Sequence, residues 1–355
     1  MRAVHFYAKE DIRLTHGVED PVPLEGQVRI RPALAFVEQY SRGATLIPQH
    51  EHPLTGRCAP LTIGHEISGV VDDVGPGVCE LQAGDHVAIQ PILSDGTCYA
   101  CQQNRPNCCA KQGFNGLSTD GGLADFLVVE AQNARKVPPN VPLAVAALVE
   151  PLSVAWHAVK CSVSKEDTSA LVVGAGRIGL CMIQALKAHN VHNIIAADTN
   201  LTRRYAAIRA GAHHFVNPLE GSLEQTCAQL CAESNGVHVA SDTAGKQVTL
   251  DQCVGALCVG GTVVNVAVWG GAARIVPNAF LLSEKRYMGT SVYTREDFDE
   301  VIQAVASGLM DPEFLITSRI AMSEVVSHGI LKLLHNPGSD LKILVDMPKE
   351  ACVKG

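Results

Sequence analysis

The stretch Leu171-Val172-Val173-Gly174-Ala175-Gly176-Arg177-Ile178-Gly179 constrains this chain more than any other. A short apolar run feeding directly into Gly-x-Gly-x-x-Gly reads as a strand, a tight glycine turn and the start of a helix. That arrangement aims the helix's first free N–H groups, and the positive end of its dipole, at one point where a pyrophosphate fits. Gly174 takes the turn, Gly176 offers no side chain to obstruct approaching phosphates, and Gly179 lets the helix pack close to its strand. Ile178, in the first turn of that helix, belongs to the same candidate cofactor-binding set.

The continuation specifies the cofactor. Asn193-Ile194-Ile195-Ala196-Ala197-Asp198 reads as a second strand ending in a carboxylate, 19 positions beyond Gly179. Such a carboxylate accepts hydrogen bonds from both hydroxyls of an adenosine ribose and repels a 2′-phosphate, so NAD is expected rather than NADP. Arg203, just beyond, could welcome that phosphate, but Asp198 at the strand tip is expected to outweigh it.

With 355 residues the chain is long for one core and comfortable for two domains. A hydrophobic content of 47% against 18% charged residues describes a globular protein. The formal net charge of −8, without any Lys/Arg run, argues against nucleic acid or an anionic membrane surface as a partner. The longest apolar region, Val141 to Val159, is interrupted by Pro142, Glu150 and Pro151, and the N-terminus reaches charged residues too soon for a signal sequence. A cytoplasmic protein is expected. Most of the 13 cysteines, such as Cys161, Cys181, Cys227 and Cys253, are scattered singly among apolar neighbours and read as small core residues.

Up to about residue 150 the chain is rich in Val, Gly and Pro, with short alternating runs such as Gln27-Val28-Arg29-Ile30-Arg31 and Gly69-Val70-Val71-Asp72-Asp73-Val74-Gly75, the pattern of an irregular β domain. From about Ser153 the rhythm becomes strand, turn and helix, with further strands at Val237–Asp242 and Gly261–Ala267, as in a doubly wound parallel sheet. Phe298, Val301, Ile302, Val305, Ala306 and Leu309 recur at helical spacing and read as a core stripe. Leu341-Lys342-Ile343-Leu344-Val345 reads as one last strand, available to return to the first domain.

Two stretches carry metal chemistry. Asp95-x-x-Cys98-x-x-Cys101-x7-Cys109 places a Cys-x-x-Cys knuckle and two further donors in one loop, enough to close a tetrahedron around Zn2+ with no open position, hence a structural site; Cys108 is the alternative to Cys109. The second is Gly64-His65-Glu66-x-x-Gly69-x5-Gly75.

This second motif, Glu150-Pro151 ahead of the nucleotide domain, the zinc loop and Gly-x-Gly-x-x-Gly, in this order, resemble the zinc-dependent medium-chain dehydrogenase/reductase family. The segments Pro53-Leu54-Thr55-Gly56, Ala59 to Glu66 and Val149 to His157 are most similar to its 2,3-butanediol and sorbitol dehydrogenase branch. The resemblance covers almost the whole chain. It implies an α/β protein with a GroES-like irregular β-barrel catalytic domain (residues 1–152), a Rossmann doubly wound parallel-sheet domain (153–292) and a C-terminal segment returning to the catalytic domain (293–355). It implies a catalytic Zn2+ held by a cysteine, His65 and a carboxylate, with Glu66 beside it and Glu150 as a further ligand or close neighbour. Zinc would lower the pKa of a substrate hydroxyl so that hydride can leave to a nicotinamide lying between the domains, lined by Val266 and Val292. The expected reaction is oxidation of the secondary hydroxyl of a vicinal diol such as 2,3-butanediol, with NAD as acceptor. Association through the edge strand of the nucleotide domain, giving a homodimer or homotetramer, is implied too.

One departure stands out. Relatives carry a turn Cys-Gly-x-Cys-Gly-Ser/Thr-Asp-x-His that supplies the zinc thiolate and a proton-shuttling hydroxyl. This chain has Pro32-Ala33-Leu34-Ala35-Phe36-Val37-Glu38-Gln39-Tyr40 there, about five residues shorter, and no cysteine from Met1 to Glu51. Three readings stay open: zinc bound by His65, Glu66 and Glu150 with a substitute such as Glu38, His50, Glu51, His52 or, less well spaced, Cys58; an NAD-binding pseudoenzyme with an empty site; or a shortened, defective form of an ordinary enzyme.

Overall fold

In a computed structural model the chain is described for residues 1–37, 47–164, 169–336, 338 and 340–347. It divides into two compact units. The first comprises Met1–Glu150, Thr294–Ile302 and Leu315–Gly355, the second Pro151–Tyr293 and Gln303–Phe314.

The first unit is built mainly on antiparallel strands, with Ile316–Ala321 pairing parallel to Lys342–Asp346. Its main sheet runs in the order Ala134–Lys136, His86–Ile89, Ile67–Val74, Gln27–Val37, Lys342–Asp346, Ile316–Ala321, and Leu127–Glu130 also pairs with Gln27–Val37. Ala3–Ala8, Asp11–Thr15 and Leu61–Thr62 form a smaller sheet. The alternating sequence of these strands puts Val28, Ile30, Ile67, Val71, Val87, Ile89, Leu127 and Val129 into one core, because successive side chains face opposite sides of a strand. A second core holds Val4, Phe6, Leu61 and Ile63 with Ile343 and Val345 of the last strand. The C-terminal strand does return: Val345 pairs with Ala35 and Ile343 with Val37, both antiparallel.

The second unit is a six-stranded, wholly parallel sheet in the order His214–Val216, Asn193–Ala197, Ser169–Val173, Val237–Asp242, Leu257–Asn265, Arg286–Gly289. Its first strand in the sequence lies at the centre and the order reverses beside it, the switch point at which such sheets bind ligands. Ser169–Val173 is buried throughout, as its unbroken apolar run requires of a central parallel strand.

The stripe beginning at Phe298 is shorter than its spacing suggests. The helix spans Arg295–Ala306 and buries Phe298, Val301 and Ile302, but Leu309 lies past its end, beyond the positive-φ Gly308, and is exposed. Among the described residues no helix is long and apolar enough to cross a membrane.

Candidate active site

Among the described residues, two sets of three or more His, Cys, Asp or Glu side chains converge closely enough to share an ion: Asp95, Cys98, Cys101 and Cys109, and His65, Glu66 and Glu150.

The first set occupies one loop. Cys98 Sγ lies 3.5 Å from Cys101 Sγ and 3.9 Å from Cys109 Sγ. A tetrahedron with Zn–S bonds of about 2.3 Å has S···S edges of roughly 3.8 Å, so the sulfurs stand at the separation zinc needs. Backbone N–H groups point at the sulfurs, Ala110 N to Cys98 at 3.5 Å and Lys111 N to Cys109 at 3.4 Å. The Cys98 and Thr97 N–H groups donate to Asp95 Oδ1 and hold that carboxyl well below its ordinary range. The Ala110 N–H likewise holds the Cys98 thiol below its ordinary value. Asp95 and Cys98 are thus prearranged as anions, whereas burial pushes the Cys101 thiol up to about 12. Cys109 is buried and converges, whereas Cys108 is exposed and does not.

The second set is assembled from distant parts of the first unit. Gly64, at φ +102°, turns the chain into His65, a conformation that favours glycine. A Cβ on Gly116 or on Gly121 would lie 2.3 Å from the Gly64 carbonyl oxygen, so glycine backbone clamps this turn. Glu66 immediately precedes the strand Ile67–Val74, and Glu150 stands in the first turn of the helix Val149–Ser162, where a carboxylate is favoured by the helix dipole and Pro151 costs no hydrogen bond. His65, Glu66 and Glu150 are all buried. One ligand atom from each lies within 4.8 Å of the others.

Lys342, 2% exposed, donates from Nζ to Glu66 Oε1. Glu66 Oε2 is buried and, among the described residues, accepts no hydrogen bond. A buried carboxylate oxygen left in this state costs on the order of 1–3 kcal/mol unless another group engages it. The donor set therefore fits a divalent cation: two carboxylates and an imidazole, one oxygen still to be satisfied, and an ammonium that leaves the constellation net anionic by one formal charge.

In the second unit, Gly174 has φ +99°, and a Cβ on Gly179 would fall 1.7 Å from the Gly174 carbonyl oxygen, which excludes any other residue there. Gly176 begins the helix Arg177–Ala188, with Ile178 in its first turn. A Cβ there would meet just Arg203, whose Nη1 lies 3.7 Å away, so the space above the turn is open. Asp198 follows the strand Asn193–Ala197 directly and is buried. Its Oδ2 accepts from Ala175 N and from Arg203 Nη1, each at 2.8 Å, and its Oδ1 from Asn200 N at 2.8 Å. Arg203 thus pairs with Asp198. Val266 follows the end of its strand, half-buried, and Val292 adopts φ +37°, strained backbone for a β-branched residue and a frequent mark of a functional position.

Comparison with known proteins gives these sites their context. The zinc-binding dehydrogenase family model matches residues 178–307 and the alcohol dehydrogenase GroES-like domain matches residues 28–139. The (R,R)-butanediol dehydrogenase of Saccharomyces cerevisiae is 34% identical over 97% of this chain and 98% of its own. The crystal structure of 2R,3R-butanediol dehydrogenase from Bacillus subtilis superposes with a TM-score of 0.88 at 31% identity, covering 97% of this chain and 99% of that one. The chain belongs to the zinc-dependent medium-chain dehydrogenase/reductase family. An alcohol dehydrogenase from Escherichia coli, described in complex with NADH, superposes with a TM-score of 0.86 at 27% identity over 98% of this chain and 99% of that one.

As a member of that family the protein is an oxidoreductase with a GroES-like domain and a Rossmann-like domain. Its segment from Pro32, of which residues 32–37 complete the strand Gln27–Val37, lacks the family thiolate, and among the described residues none of the suggested substitutes joins the His65 set. His52 is engaged through Nε2 with the Gln112 carbonyl at 3.1 Å and through Nδ1 with Leu54 N at 3.3 Å, while His50 and Glu51 are exposed. Cys58 is not part of either set. Glu38 lies outside the described residues. What reading the sequence missed is Lys342. The signal was there, a lysine inside Leu341-Lys342-Ile343-Leu344-Val345, since a charge in a buried apolar strand demands a partner.

Proposed function

We propose that this dehydrogenase oxidises the secondary hydroxyl of a small vicinal diol, such as 2,3-butanediol, to the ketone with NAD+ as acceptor. The observation that carries the reading is the convergence of buried His65, Glu66 and Glu150 with one carboxylate oxygen still unsatisfied. Zinc held by these three residues would supply Lewis acidity toward the substrate hydroxyl. Oxidation moves a hydride from the carbinol carbon to NAD+, giving NADH, and releases the hydroxyl proton. In this chain the Lys342 ammonium keeps the site's negative charge down to one, which favours the deprotonated alcohol, and fixes Glu66 by its Oε1. Burial of all four side chains excludes bulk water and strengthens these interactions.

For the cofactor, Gly174, Gly176, Ile178 and Gly179 would receive the pyrophosphate at the helix N-terminus, Asp198 the adenosine ribose with Arg203 beside it, and Val266 and Val292 the nicotinamide. Asp95, Cys98, Cys101 and Cys109 would hold a second, structural zinc. A pseudoenzyme gains no support from a carboxylate and imidazole set this complete.

A homodimer or homotetramer fits the sheet edge. Among the described residues Arg286–Gly289 pairs on one side alone, and Val276, Leu281 and Leu282 near it are exposed beside a groove of 240 Å³ lined by Leu250, Val254, Ile275 and Phe280. Leu282→Glu then lowers the mass seen by light scattering. A cytoplasmic setting agrees with the free cysteines, several of them core thiols such as Cys227, which burial pushes up to about 12.

Initial rates of NADH formation with zinc-replete protein and a diol panel test the proposal. Turnover of a vicinal diol with NAD+ well above NADP+ is expected; a flat trace across the panel sinks it.

A further inference from the structure

The chain sorts its donors by hardness. Three of its sulfurs are gathered with Asp95 in one loop, whereas the set His65, Glu66, Glu150 contains none. No cysteine precedes Cys58 in the sequence, and Cys58 itself is not in the set. Thiolate is the donor that most favours zinc over harder divalent ions, while carboxylates suit manganese and magnesium and imidazole is shared by zinc, iron and cobalt. Glu66 is moreover a weakened donor, since the Lys342 ammonium already draws on its Oε1. The donors of the loop site lie within the stretch 95–109, whereas Glu66 and Glu150 come from separate elements.

We propose that the second site is a sulfur-free centre that holds its ion reversibly and takes Mn2+, Co2+ or Fe2+ as well as Zn2+, so that this chain carries one permanent and one exchangeable metal. The inference rests on the reading of that site as the catalytic metal centre. It differs from a thiolate-anchored centre in two measurable ways. The ion leaves to a chelator at least about tenfold sooner than the one in the Asp95 loop, and its replacement is spectroscopically free of sulfur.

The test uses the full chain, purified with zinc and dialysed against a chelator, with metal counted by mass spectrometry before and after. Two ions per chain falling to one, with Co2+ then restoring the second, is expected. The cobalt form should show d–d bands without near-ultraviolet thiolate-to-cobalt charge transfer, and Glu150→Gln should keep one zinc and take up no cobalt. A charge-transfer band on the re-entered cobalt overturns the inference while leaving the dehydrogenase reading intact, because it reports a sulfur ligand, whichever cysteine supplies it. Simultaneous loss of both ions also overturns it. A single ion in the zinc-replete protein overturns both the inference and the reading beneath it.

Discussion

The two candidate metal sites of the first unit differ in how the chain builds them. The Asp95 loop collects four donors from residues 95–109, and its backbone N–H groups are turned onto the sulfurs and the carboxylate. Four anionic donors around a dication leave no open coordination position and a net negative charge, which suits a clamp and not a reaction. The His65 site draws its donors from a glycine-bounded turn and a helix start, and brings in Lys342 from a strand 276 residues beyond Glu66. Around an ion, three neutral or anionic donors with an ammonium alongside would leave a position for a substrate oxygen and a charge balance that favours an alkoxide. Rigidity comes from local closure in one case and from tertiary packing in the other.

The sharpest way to separate them is Glu150→Ala. Turnover should fall about a thousandfold, roughly 4 kcal/mol of transition-state stabilisation, and bound metal should drop from two ions to one with little change in melting temperature. If the melting temperature collapses as well, the His65 site is structural too and the contrast fails. Cys101→Ala should do the reverse. Loss of about 3 kcal/mol from the loop site lowers the melting temperature by roughly 4 °C, while the remaining folded protein keeps its exchangeable ion and its activity; calorimetry with metal counting checks both.

A smaller effect isolates Lys342. Replacing it with Met leaves Glu66 buried without its counter-charge, so the metal-free protein should lose about 2 kcal/mol more stability than the metal-loaded protein, read as unequal shifts in denaturant midpoint. Equal shifts would mean that Lys342 does no more than fill space. The least change expected is from Asp198→Ala, which should raise the Kd for NADH about tenfold, roughly 1.4 kcal/mol, and narrow the preference over NADPH without altering either ion. Fluorescence titration reads the first and metal analysis the second.

Much of the molecule is legible in its residues. Gly174, Gly176, Gly179 and Asp198 announce the turn and the neighbouring strand because a parallel β-α-β unit repeats one local geometry. The loop from Asp95 to Cys109 is legible for a related reason: donors a few residues apart cannot be far apart in space. His65, Glu66 and Glu150 are readable as motif residues, but their meeting is not. Leu309 shows the limit of periodicity, since the helical spacing continues past the point where Gly308 ends the helix and the side chain emerges into solvent.

The sequence by itself determined the parallel nucleotide sheet, the glycine turn at its centre, the carboxylate at the neighbouring strand tip and the sulfur-rich loop, because each is encoded by spacing within a few dozen residues. The tertiary structure alone decided that Glu66 would share its charge with Lys342 through Oε1 and stand close to His65 and Glu150. That pairing depends on the last strand inserting between Gln27–Val37 and Ile316–Ala321, and a contact made by sheet register across most of the chain leaves no local periodicity to read.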